Sequence, residues 1–186
     1  MADPSTSLVA NDMGVKRFAE LLRRETAQQF PGWPADKFRF WGDPSGDYRA
    51  QTDEDTPFRI LRAAGINAYP APTNDIDIRI EVVSNALNRP IDGQPGLIVD
   101  PRCVTIHKGF VSGYRYRRMQ VTGTERYDTA PDKNRFSHPH DALQYLLLGG
   151  GEGRQLIRGA TPARPVVAAR EWDVFARRPD FRNLKR

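Results

Sequence analysis

Cysteine is nearly absent from this chain: Cys103 is the only one in 186 residues. A single thiol excludes an internal disulfide and any cysteine-rich zinc site, and a lone cysteine reads first as a buried, inert side chain. Histidine is scarce as well, with three copies. No apolar run approaches the roughly 20 residues that span a bilayer, which argues against a membrane role. The opening "MADPSTSLVANDMG" lacks the basic and apolar regions of a signal peptide, so the expected location is the cytoplasm. No G-x-x-x-x-G-K-[ST] phosphate loop occurs, and no internal repeat is visible.

What is present describes a soluble globular chain, 39% hydrophobic and 27% charged. Its length suits one domain able to bury a core without disulfide or metal staples. A formal net charge of +5 and a pI near 9.6 favour a polyanionic partner, nucleic acid first of all.

Periodicity supplies the elements. "GVKRFAELLRRETAQQF" sets Val15, Phe18, Ala19 and Leu22 at helical spacing, with Asn11 or Asp12 as the expected cap and an end before Pro31. "KFRFWGDPSGDYR" reads as a strand entering a tight loop, which puts Asp43 at a strand's C-terminal end. "DTPFRILRAAG" is a short helix between Pro57 and Gly65, and "INAYPAP" a short extended segment. A helix from about 74 to 89 is expected to bury Ile76, Ile80, Val83 and Leu87, with Asp77, Glu81 and Asn85 opposite. "GLIVDP" reads as a buried strand, "RCVTIHKGF" as a helix, "GYRYRRMQV" as a hairpin strand and "TERYDTAPDKN" as a connection. Ser137 is the expected cap of a helix through "DALQYLLL" that stops at three glycines. Residues 151–186 read as a flexible, basic Gly/Pro/Arg-rich tail.

The stretch "SHPHDALQYLLLGG" poses the chemical question, because Asp141 stands on a partly apolar helix face. An acid near a helix start is stabilised by the dipole without any catalytic role. One that points inward must be paired or bound to metal. His138 and His140, separated by Pro139, make a poor zinc pair and suit polar contacts at the helix start.

Five segments, "GDPSGDYRAQTDEDTPFRILRAAGI", "RIEVVSNALNR", "GLIVDPRC", "GYRYRR" and "KNRFSHPHDALQYLLLG", come in an order that resembles the C-terminal nuclease domain of phage DNA-packaging terminase large subunits. The resemblance spans residues 8–150. It implies an α/β, RNase H-like fold: a mixed sheet flanked by helices, with acids converging on Mg2+ or Mn2+. By position Asp43 and Asp141 match the second and third catalytic, metal-binding acids of that family. Carboxylate oxygens are the donors that such hard cations require, and a pair of ions can clamp both oxygens of an in-line phosphodiester displacement. The implied activity is cleavage of concatemeric double-stranded DNA during packaging. The implied partners are the terminase ATPase domain, the small subunit and the portal, inside a bacterial host carrying the phage or prophage.

The chain departs from that pattern at its start. The family's first strands, with the first catalytic acid, have no counterpart before "LVANDMGVKRFAELL", and Asp3 is too near the helix to replace that acid. Weak nuclease activity and an uncovered edge on the "KFRFWG" strand are the expectations. The competing reading is a non-catalytic DNA-binding or packaging-assembly remnant. Asp47 reads as a turn acid and Asp100 as a cap. Arg115, Arg117, Arg118 and Lys133 are the candidate DNA contacts, with the neighbouring tyrosines as packing or stacking partners; a solvated sheet face and, for Lys133 with Asn134, a solvated loop are the alternatives.

Overall fold

Helix α1, Val15–Gln29, turns Ala19 fully inward beneath α2 (Pro57–Ala63), where Phe58, Ile66 and Ala68 complete a small core edged by Leu22, Phe40, Leu61 and Ala64. These positions come from a computed structural model, which describes residues 12–47, 55–119 and 126–157. Gly14, without a side-chain hydrogen bond, caps α1; of the two caps expected from sequence, Asp12 is not the one used and Asn11 lies outside the described residues. Thr56 caps α2 by accepting from the Arg59 amide at 3.3 Å, and Pro57 fills the first turn, where its missing N–H is harmless.

Strand β1, Phe40–Gly42, pairs in parallel with β2, Ala68–Pro70. It is shorter than the sequence alternation suggests. Ala35–Lys37 form a 3-10 turn instead, and Pro44–Asp47 form another directly after Asp43.

Helix α3, Ile76–Asn88, is capped by Asp75, whose Oδ1 accepts from the amides of Asp77 and Ile78. Its buried face corrects the sequence reading. Arg79, Val82, Val83 and Ala86 face inward, while Leu87 is 39% exposed. The helix is rotated from the isoleucine stripe because its packing partner is the late helix α5, Ser137–Gly150, against which Val82 meets Tyr145 and Leu148 in a second core with Ala71.

A two-residue turn with both residues at positive φ, Asp92 and Gly93, joins the minimal strands β3 (Pro90–Ile91) and β4 (Gln94–Pro95), the geometry that a tight hairpin favours. The "GLIV" run that follows is not a strand, and Ile98 is 74% exposed; β-forming residues without a partner strand gain no ladder bonds. Helix α4, Val104–Lys108, passes into a π-turn at Gly109–Gly113. Cys103, at its N-cap, is a free thiol only partly buried. The expected hairpin is present as β5, Tyr116–Met119, antiparallel to β6, Arg126–Pro131. Thus part of the segment read as a connection is itself a strand.

Asn134 fastens this hairpin to α5. It donates to the Gly113 carbonyl at 2.9 Å and accepts from the Phe136 amide, while its carbonyl receives the Ser137 hydroxyl at 2.7 Å. Phe136 is the N-cap, and Ser137 is already inside the helix. The far end closes on Gly151, whose φ of 98° is one that glycine adopts without strain. Near that end Gly149 lies so close to Trp41 of β1 that a Cβ would overlap the indole.

The chain continues on the domain past 150, contrary to a tail starting at 151. Glu152 pairs with Arg89 at 2.9 Å, and Leu156 of α6 (Arg154–Ile157) packs on the second core. The rest of the expected tail lies outside the described residues. Among the described residues the strands form three two-stranded sheets within a mixed helix-and-strand fold, and no helix is long and apolar enough to cross a membrane.

Candidate acid-pair site

Asp43 follows the last residue of β1, with its position fixed by local hydrogen bonds: Oδ1 accepts from the Ser45 amide at 2.9 Å and its carbonyl from the Gly46 amide at 3.0 Å. Partial burial pushes its carboxyl up. The Ser45 hydrogen bonds, the Tyr145 hydroxyl and the Arg79 guanidinium outweigh that and hold it below the usual carboxylate value.

Asp141 lies one turn into α5, on the same face as Gln144, Tyr145 and Leu148. The inward acid is paired. Arg79 of α3 donates from Nη2 to Oδ1, and Lys133 reaches Oδ2 at 3.4 Å. Side-chain exposure is 7% for Arg79, 16% for Asp141 and 75% for Lys133, so one cation is interred and the other lies in solvent. Arg79 also donates from Nη1 to Asn74 Oδ1 at 3.0 Å and lies 4.3 Å above the Tyr145 ring. The Tyr145 hydroxyl donates to the same Asn74 oxygen at 2.6 Å. Burial, with Asp43 and Asp141 nearby, pushes that phenol far above its ordinary value despite Arg79.

Asp43 and Asp141 therefore share two neighbours, Arg79 and Tyr145, each interacting with both acids. Two carboxylates and two cations sum to no formal charge. The donors are of the type a hard divalent cation needs, but as arranged they do not fit one, since both oxygens of Asp141 are engaged by cations. Among the described residues no three His, Cys, Asp or Glu side chains group to hold a metal. Arg79 Nε is buried and has no hydrogen-bond partner among the described residues.

The histidines serve the fold. His140 stacks on Tyr114 and meets Phe110 edge-on, both at 4.8 Å, and donates from Nε2 to the Ile106 carbonyl; burial lowers its pKa. His138 is exposed, which separates it from any shared site with His140. Gln144 donates to the Tyr114 hydroxyl at 2.9 Å.

Arg115, Arg117 and Arg118 are exposed on or beside β5. The first two, with Tyr116 and Tyr127, line an open groove of about 900 Å³. Arg117 pairs with Asp132 at 2.7 Å. Lys133, grouped with these arginines by sequence, instead reaches the acid pair. Asp47 accepts from the Thr56 hydroxyl at 3.5 Å in its turn. Asp100 receives the Arg102 guanidinium and amide, which bring its carboxyl down to about 2; Cys103, not Asp100, is the N-cap of α4.

Three residues at the centre escaped sequence reasoning: Asn74, Arg79 and Tyr145. A signal for Arg79 existed, because it falls one helical turn before Val82 and Val83, on their face, and an inward acid requires a cation. No family model, curated protein or solved structure matches the chain.

Proposed function

We propose that this chain carries the acid pair of an RNase H-like, terminase-type endonuclease domain acting on double-stranded DNA with Mg2+ or Mn2+. Terminase ATPase, small-subunit and portal proteins are its partner class, in a phage-bearing bacterial cytoplasm. One observation carries the reading: Asp43 and Asp141, distant in sequence, both interact with Arg79 and Tyr145 just beyond the C-terminal end of a parallel strand. Ligands of parallel α/β sheets bind at that end. The exposed arginines of β5 would meet the DNA backbone as positional contacts.

A second reading, a non-catalytic DNA-binding or assembly module, draws on the pairing of Asp141 with Arg79 and Lys133. Plasmid nicking with added Mn2+ or Mg2+ separates the two. The nuclease reading expects slow nicking that falls to background in Asp43→Asn and in Asp141→Asn, with DNA binding retained. Nicking that survives both substitutions overturns the assignment of these acids. DNA binding by a wild-type chain that never nicks favours the module.

A further inference from the structure

The two cations on Asp141 differ in kind. Arg79 is buried, bonded to Asn74 and stacked on Tyr145, so it could leave only by dismantling the packing between α3 and α5. Lys133 is three-quarters exposed and its printed contact with the site is the single 3.4 Å approach to Oδ2. An ammonium on a flexible stem can rotate to another anion without moving backbone.

We infer that Lys133 is an exchangeable cation that closes the acid pair to divalent ions until a phosphodiester anion draws it away. The inference deepens the nuclease reading and rests on it. With Lys133 seated, the four groups sum to zero and an arriving dication gains little, because affinity for hard cations follows the ligand charge that remains unmatched. A phosphate that takes Lys133 leaves a net negative centre. It also brings acceptor oxygens toward Arg79, whose buried Nε lacks an acceptor among the described residues. Divalent-ion binding and phosphate binding thereby become coupled, each favouring the other by the same factor.

The test is Mn2+ binding to the full chain, read by titration calorimetry and by the loss of free-ion spin resonance. It compares wild type, Lys133→Met and Asp141→Asn, with and without a short DNA duplex. Lys133→Met keeps the apolar stem and removes the charge. Its Mn2+ affinity without DNA should exceed wild type by at least about fivefold, what one exposed ion pair contributes. DNA should tighten Mn2+ binding to wild type and do so less in Lys133→Met. Equal affinity of wild type and Lys133→Met, with binding lost in Asp141→Asn, overturns the inference and leaves the nuclease reading standing. Mn2+ binding that Asp141→Asn leaves untouched overturns both. Tighter binding in Lys133→Met with no DNA nicking under any condition sustains the exchange and overturns the nuclease.

Discussion

Arg79 and Asp141 are linked by an ion pair between α3 and α5 that excludes most solvent, whereas Lys133 touches the same acid from water. Removing one partner of a buried pair leaves an uncompensated group, which typically costs about 3–5 kcal/mol. Exposed pairs contribute about 0–1 kcal/mol. Arg79→Met should therefore lower unfolding free energy by about 3 kcal/mol, with Lys133 offsetting part of the loss at Asp141. Lys133→Met should lower it by less than about 1 kcal/mol. Urea unfolding of the two variants checks the contrast, and equal small losses would mean that the α3–α5 pair is not a stability element. At this scale the sequence was partly legible. An inward Asp141 announces a need for a partner, but not which cation supplies it. Arg79 was hidden because a charged residue within an isoleucine-rich helix reads as surface, and only the packing of α5 fixes which side of α3 turns inward.

Elements whose signals are local were legible in the sequence. Helix α2 has Thr56 and Pro57 at its start and Gly65 beyond its end, and the chain builds it there. The "GLIV" run lacked such punctuation and depended on a partner strand that the fold does not supply, while β6 was hidden in a polar segment whose strand character comes from pairing with β5. Helix α5 ties these parts together: Asn134 anchors its start to the hairpin and Gly149 seats its end on Trp41. Eight residues separate Gly149 from Asp141, roughly 12 Å of helix at 1.5 Å per residue. Gly149→Ala should destabilise the fold by about 1–3 kcal/mol through overpacking, although alanine is the better helix former. Thermal unfolding gives the sign: a rise in midpoint would show that Trp41 yields to the methyl group without strain.

For the molecule as a whole, charge is the readable quantity and topology the unreadable one. The net charge of +5 and the exposed arginines near β5 follow directly from composition and alternation. The division of the described strands into three small sheets does not, because pairing is decided by residues far apart. The DNA-binding proposal belongs at this scale. Association governed by such a field should weaken by orders of magnitude between about 50 and 200 mM salt. Fluorescence anisotropy with two unrelated duplexes measures it, and a flat salt response would remove the electrostatic basis of the proposal.

The matched charges around Tyr145 also affect an encounter before any contact forms. Two bare carboxylates would open a repulsive hole in the surface potential where a polyanion is meant to settle. Matched by a guanidinium and an ammonium, they present to a distant phosphate only a short-range multipole, which fades faster with distance than the field of a net charge. The basic surface then guides approach unopposed, and the negative groups become perceptible only within the final few ångströms. Attraction and chemistry are thus separated in order: the polyanion is already captured when it first meets the acids.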